Sequence, residues 1–219
     1  MPGRRAAVDA FETRMAILRR AADVASVEGM EGLTIGRLAA DLGMSKSGVI
    51  GHFGTKEQLQ LATIDYAAGV FRRKVWEPVQ HLRPGLERLL AACESWVRYT
   101  ENPGFPGGCF FAAASFEWDG RPGPVRDAVA EVTDRWRRTL VADIRAAIAD
   151  GDLPADLDPE QVAFAIKALV FGMNPTRQMH GVTEAAAWCL QAIHALLRLD
   201  HRSCPTARPR PTAGSPPAD

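Results

Sequence analysis

Residues 34–53 read TIGRLAADLGMSKSGVIGHF, and two short helical patterns meet in them at Gly43. In the first, Ile35, Leu38, Ala39 and Leu42 recur at the spacing of one helix face, and Thr34 stands where a hydroxyl caps the first turn. In the second, Ser45 takes the capping place and only Val49 and Phe53, four residues apart, form an inward stripe. The other side carries Ser45, Lys46, Ser47, Gly48, Gly51 and His52. A helix with so little apolar surface adds little to a core, so its exposed face is expected to make a contact. Helix, glycine turn and helix is helix-turn-helix spacing, in which the second helix enters the DNA major groove. Ala39 and Gly43 are small enough for the helices to cross closely. Short side chains let the backbone approach a duplex, and hydroxyl, ammonium and imidazole groups donate to phosphates or base edges. The helix N-termini at Thr34 and Lys56 offer N–H groups and a positive dipole end to phosphates. Helix pairs of this size also occur in proteins that bind no DNA, and local charge is modest, with Arg37, Lys46 and Lys56 against Asp41.

Outward from this stretch the chain reads as helix throughout, with no convincing strand. Phe11, Met15, Leu18, Ala22 and Ala25 form one stripe upstream, ended by the glycines of residues 28–32. Residues 1–10 are expected to be a disordered arm. Its Arg4 and Arg5 resemble a minor-groove arm, although a solvated end is the plainer reading. Downstream, Thr55 and Gln58 have capping-box spacing, and the helix they start carries Leu59, Ala62, Tyr66 and Val70 inward as far as Trp76. Longer helices follow. Leu86, Leu89, Leu90, Cys93, Trp96 and Val97 mark one, and the NPGFPGG of residues 102–108 must be a loop. Residues 109–118 form a short apolar helix. Val125 to Ile144 mark a helix that runs to Asp150, about 39 Å at 1.5 Å per residue. Asp158, Pro159 and Gln161 start the next helix, which is apolar on most of its circumference over 161–173. A last helix spans about 183–199. Residues 201–219 are rich in Pro and small polar residues and are expected to be disordered. The predicted architecture is all-α with about nine helices: a three-helix head at 11–71 with its recognition motif at 34–53, and a helical body at 72–200.

Composition narrows the classes. The 219 residues are 47% hydrophobic and carry 26 Lys+Arg against 26 Asp+Glu, so any basic patch must be local. The cysteines Cys93, Cys109, Cys189 and Cys204 show no CxxC spacing, which argues against a disulfide framework or a structural metal site and for a reducing cytosol. The first residues lack the apolar stretch of a signal peptide, and no apolar run is long enough for a membrane span. The histidines His52, His81, His180, His194 and His201 are scattered, and no GxSxG, P-loop or GxGxxG is present. The expectation is a cytoplasmic, nucleoid-associated protein that is not an enzyme and has no cofactor or metal.

The segment GLTIGRLAADLGMSKSGVIGHFGTKEQL at residues 32–59 resembles the TetR family of bacterial transcriptional regulators. The shared pattern is a glycine after the first helix, Leu-Thr opening the second, a Gly-hydrophobic-Ser turn, His-Phe closing the third, and Lys-Glu-x-Leu opening the fourth. The likeness covers residues 11–67. It implies that the backbone at Thr34 and Ile35 meets phosphate, that Ser45, Lys46, Ser47, Gly48 and His52 face the DNA, and that Lys56 contacts phosphate. One departure stands out: the family usually has an aromatic residue, most often Tyr, where this chain has Ile50, followed by Gly51. Ile offers no hydroxyl to a phosphate.

The resemblance further implies a homodimer that binds a palindromic operator on double-stranded DNA, most often as a repressor, and a body with a pocket for a small, largely apolar effector. Trp96, Tyr99, Phe110, Phe111, Phe116 and Trp136 are the aromatic candidates for that pocket, against the plain alternative that they only pack. Phe164, Phe171, Trp188, Ile193 and Leu196 are candidates for the interface between subunits, against the alternative that they are core. Cys109 stands beside Phe110 and Phe111, which argues for burial rather than redox sensing. The rival to the whole reading is a helical small-molecule-binding or enzymatic module whose head no longer reads sequence.

Overall fold

The structure, a computed structural model, describes residues 2–102 and 104–199, with side chains from Ala7 onward. The expected tail at 201–219, with Cys204, and the side chains of Arg4 and Arg5 lie outside it. Among the described residues the chain forms nine α-helices and one π-helical turn, with no strand, as the periodicity predicts.

The head consists of α1 (Pro2–Glu28), α2 (Ile35–Asp41) and α3 (Lys46–Phe53). Its helices start where hydroxyls can cap them. The oxygen of Thr34 accepts from the Arg37 N–H at 3.1 Å, and that of Ser45 from the Gly48 N–H at 3.0 Å. Ile17, Ala21, Leu33, Leu38, Val49 and Leu59 close its core without solvent exposure. The start of α1 corrects the expected arm: helix begins at Pro2, not at Phe11. Phe11 is correspondingly 63% exposed instead of buried on the stripe. The helix runs past the surface it packs on, and Ala, Arg and an initial Pro sustain it by local propensity.

Helix α4 (Lys56–Phe71) begins in the head, capped by Thr55, and ends in the body. It continues into a π-helical turn, Arg72–Trp76, where the Glu77 N–H reaches the Arg72 carbonyl at 2.9 Å. The body comprises α5 (Leu86–Glu101), α6 (Phe110–Trp118), α7 (Pro124–Ala149), α8 (Pro159–His180) and α9 (Ala185–Leu196). Helix α7 packs on α4, α5, α6 and α8. Helix α8 passes the end of its apolar run and continues through Pro175 to a left-handed Gly181. The ring removes one backbone N–H there, while the Thr176 hydroxyl donates to the Gly172 carbonyl at 2.8 Å.

One buried ion pair ties α5 to α7. Asp143 has no exposure, and Arg88 bonds it through Nε at 2.9 Å and Nη2 at 2.6 Å. The same guanidinium lies 5.2 Å from the Trp76 ring, so it also supports the π turn. Burial holds the Asp143 carboxyl above the ordinary carboxylate range, against the smaller opposing pull of Arg88. Removing one partner leaves an unpaired buried charge. Arg88→Met should therefore cost about 3–5 kcal/mol, and the double change Arg88→Met with Asp143→Leu should cost markedly less. Denaturant unfolding of the two variants checks this.

Candidate DNA-binding face and internal cavity

The outward face of α3 is set by what its inner face buries. Val49 and Phe53 turn into the head core, which leaves Ser45, Lys46, Ser47, Ile50 and Gly51 exposed and Gly48 and His52 half-exposed. The Ser45 and Ser47 hydroxyls lie 3.0 Å apart at the helix start. Lys46 folds back over α2, where a Cβ on Gly36 would stand 3.3 Å from its Cε. At the other end the Arg14 guanidinium donates to the His52 carbonyl at 2.5 Å and lies 4.3 Å from the Phe53 ring. Arg14, absent from the sequence reading, fixes the end of α3 from α1. No local motif marks it, because its partners lie 38 positions away. Ile50 is 44% exposed and presents a branched apolar side chain on an otherwise polar face.

Thr34 and Ile35 stand at the start of α2, Thr34 exposed and Ile35 half-buried against the core. Lys56 opens α4, but its ammonium is already engaged. It donates to the Glu31 carbonyl at 2.9 Å and to the Glu31 carboxylate at 3.2 Å. That bond holds the Glu31 carboxyl below its ordinary range. Arg37 is likewise occupied, by Asp41 at 3.0 Å and Glu28 at 3.2 Å. Carboxylates thus neutralise much of the head's positive charge.

Head and body meet at the end of α1. The Glu117 carboxylate on α6 accepts from the Met30 and Glu31 N–H groups at 2.8 and 2.9 Å. The Gln60 amide of α4, buried, donates to the Met30 carbonyl at 2.9 Å. Gly107 packs so closely that a Cβ there would fall 1.8 Å from the Ser26 carbonyl oxygen, and its N–H donates to the Ser26 hydroxyl at 3.0 Å. Gly29 takes φ +78° after α1 directly under Glu117, where a side chain would be both strained and crowded. No local motif marks Glu117, because the amides it holds lie 86 and 87 positions away.

Inside the body lies a narrow cleft with about 20 Å³ of free room. Trp96, Phe111 and Trp136 line it, joined by Phe71, Cys109, Val132, Thr133, Lys167 and Phe171. The remaining aromatic candidates need correction. Phe116 is 67% exposed and points away from the cleft, because it follows Phe111 by five residues on α6. Tyr99 and Phe110 are buried, yet they pack behind the wall and not in it. Phe71 has ring centroids of Trp96, Tyr99, Phe111 and Trp136 between 5.2 and 6.2 Å away, all nearly edge-on. Burial raises the Cys109 thiol to about 11, so it stays protonated and poorly reactive.

The outer face of α8 and α9 carries a shallow apolar groove, in which Phe164, Ala168, Gly172, Trp188 and Leu196 take part. Phe164 and Trp188 are 71% and 56% exposed. Phe171 and Ile193, also expected on that face, are corrected to the interior: Phe171 walls the cleft and Ile193 has no exposure. Over 161–173 helix α8 is apolar on most of its circumference, so its sequence does not say which side faces inward.

A helix-turn-helix head joined by one helix to an all-helical body with an internal cleft defines a DNA-binding transcriptional regulator with a ligand-binding domain. The family described as bacterial regulatory proteins, tetR family, matches over residues 17–63, and the tetracyclin repressor-like C-terminal domain matches over residues 85–193. The chain belongs to the TetR family, whose regulators bind DNA and small molecules and are generally not enzymes. Similar solved structures include a TetR transcriptional regulator from Chloroflexus aurantiacus J-10-FL, 26% identical with a TM-score of 0.79, covering 87% of this chain and 96% of that one. A TetR-family regulator from Cytophaga hutchinsonii is 22% identical with a TM-score of 0.74, covering 87% and 95%. AibR, solved with isovaleryl coenzyme A and operator DNA, is 21% identical with a TM-score of 0.71, covering 85% and 99%. No curated protein matches the chain. No helix among the described residues is long and apolar enough to cross a membrane.

Glu117→Ala removes the acceptor for two backbone N–H groups at the joint. Exchange of the Met30 and Glu31 amides should rise roughly tenfold or more, while amides of α8 stay unchanged. Hydrogen exchange read by NMR checks both halves.

Proposed function

We propose that the protein is a homodimeric, ligand-responsive repressor that binds an inverted-repeat operator on double-stranded DNA through α3. The observation that carries this reading is the course of α4, whose Leu59 is buried in the head and whose Phe71 walls the cleft. A ligand that enters the cleft meets Phe71, and a shift of Phe71 moves the helix on which the recognition head rests. The π turn directly after Phe71 gives α4 a place to yield. In a dimer that movement alters the spacing of two heads, and operator half-sites tolerate only one spacing. The regulator would act on the nucleoid, in the cytoplasm, and its effector would be small and largely apolar, matching the cleft wall. A neighbour of the same fold, AibR, was solved with both isovaleryl coenzyme A and operator DNA, which supports a two-ligand reading.

In this reading Ser45, Lys46, Ser47, Gly48 and His52 face the groove, and Thr34, Ile35 and Lys56 stand against phosphate. Lys56 does so while it braces Glu31. The second copy docks on the outward face of α8 and α9, through Phe164, Trp188 and Leu196. Selection from a pool of randomised duplexes tests the whole: a recovered inverted repeat supports it. Recovery of no motif, with only weak salt-sensitive retention, would return the chain to a ligand-binding module with a silent head.

Two outcomes follow for variants. Lys46→Ala should weaken binding and lower the slope of log affinity against log salt by about two, one contact from each subunit, while His52→Ala or Ser47→Ala should shift preference among operator variants. Fluorescence anisotropy across a salt series separates the two effects. Joint replacement of Phe164 and Trp188 by Glu should yield a folded monomer by sedimentation, with operator affinity reduced by at least about a hundredfold, since half of the phosphate and base contacts are lost.

A further inference from the structure

The cleft's polar groups indicate the charge of its ligand, an inference that rests on the cleft being the effector site. Its wall is a box of aromatic rings from five helices. Trp96 and Trp136 meet at 88°, Phe71 and Trp96 at 87°, and Trp96 and Phe171 at 81°. In this wall the indole N–H groups of Trp96 and Trp136 are both buried without a hydrogen-bond partner. Indole nitrogen only donates, so neither can be satisfied by rotation or by exchange of roles. The Thr133 hydroxyl already donates to the Val129 carbonyl at 3.1 Å. Lys167 is the one charged residue among those lining the cleft, with its ammonium 5.2 Å from the Phe171 ring. Among the lining side chains only the Thr133 oxygen and the Cys109 sulfur can accept, and neither is bonded to an indole N–H.

An aromatic box by itself favours a cation. This one differs, because Lys167 supplies a positive charge and no carboxylate lines the cleft to offset a second one. The carboxylate beside Lys167 on α7 is that of Asp134, already spent on Arg137 at 2.7 Å and Arg138 at 2.6 Å. A cationic ligand would meet repulsion with no compensation. An anion with two acceptor oxygens would satisfy an indole N–H and the ammonium together. The cleft is narrow, with about 20 Å³ of free room, so a ligand must part the rings as it enters, which calls for a compact body. We infer that the cleft takes a compact carboxylate with an aromatic or branched apolar body, its carboxylate held by Lys167 and the indole N–H of Trp136 or Trp96.

The test compares three probes of one shape on the full chain by isothermal titration: phenylacetate, 2-phenylethanol and phenethylammonium. Phenylacetate should bind at least about tenfold more tightly than the alcohol, and the cation should bind most weakly. Lys167→Met should abolish the preference for phenylacetate over the alcohol while leaving the affinity for the alcohol within about twofold. Trp136→Phe and Trp96→Phe keep a ring but remove one N–H each, and at least one of them should weaken phenylacetate by about tenfold. Thermal unfolding of each variant confirms a folded chain. Equal or tighter binding of the alcohol or the cation, still sensitive to Trp136→Phe, would overturn the assigned charge and leave the cleft as a ligand site. Failure of all three probes to bind, or binding indifferent to Lys167 and both tryptophans, would overturn the cleft as the effector site and this inference with it.

Discussion

The packing of Phe71 is the contact on which the rest of the molecule depends. A single ring at the end of α4 is held edge-on by Trp96, Tyr99, Phe111 and Trp136, from three other helices. Edge-to-face pairs are directional, so the ring has one comfortable place and the helix end has one position. Some sixteen residues of rigid helix carry that position to the head, where Leu59 is enclosed by the core. A packed cluster of this kind does not deform smoothly. It holds one arrangement until something displaces a ring, which is the behaviour required of a switch.

The head is fixed at a second place, and the two constraints differ in kind. Glu117, Gln60 and the Ser26–Gly107 contact hold the end of α1 by hydrogen bonds and close backbone approach. Phe71 holds the end of α4 by apolar packing. Helix α6 belongs to both, since Phe111 walls the cleft and Glu117 reaches the α1–α2 loop. One short helix therefore meets the ligand space at one end and the DNA-facing domain at the other. Helix α6 is also the element whose sequence said least about its own orientation, being apolar nearly all round.

Neutralised arginines and lysines qualify the electrostatics of the DNA face. Arg37 and Lys56 are paired with Asp41, Glu28 and Glu31, and the chain's formal charge is zero. In the proposed role, attraction to a duplex comes from a few groups on α3 and the helix starts, with shape and short side chains doing the rest. Ile50 adds an apolar element at the place where the family usually carries a phosphate-binding tyrosine.

Apart from the start of α1 and the exposed Phe11, the helices of the head were legible in the sequence. Its caps, its glycine turn and the Val49–Phe53 stripe are local signals, set within one or two turns of helix, and Ser45 and Thr34 cap where their spacing places them. The helix boundaries of the body were legible for the same reason. Which face of each body helix turned inward was not. Phe116 and Phe171 are both aromatics in apolar helices, yet one is exposed and the other walls the cleft, and Phe164 and Ile193 divide in the same way. A helix apolar on every side carries no record of its orientation, so the choice falls to the long-range packing of α7 and α8. The anchors Arg14, Glu117 and Gln60 were hidden likewise, because their partners stand 30 to 87 positions away. The sequence by itself determined the helices, the head and the family. Only the tertiary structure decided the cleft, the joint and the outward face, because those arise where side chains distant in the chain compete for the same buried space.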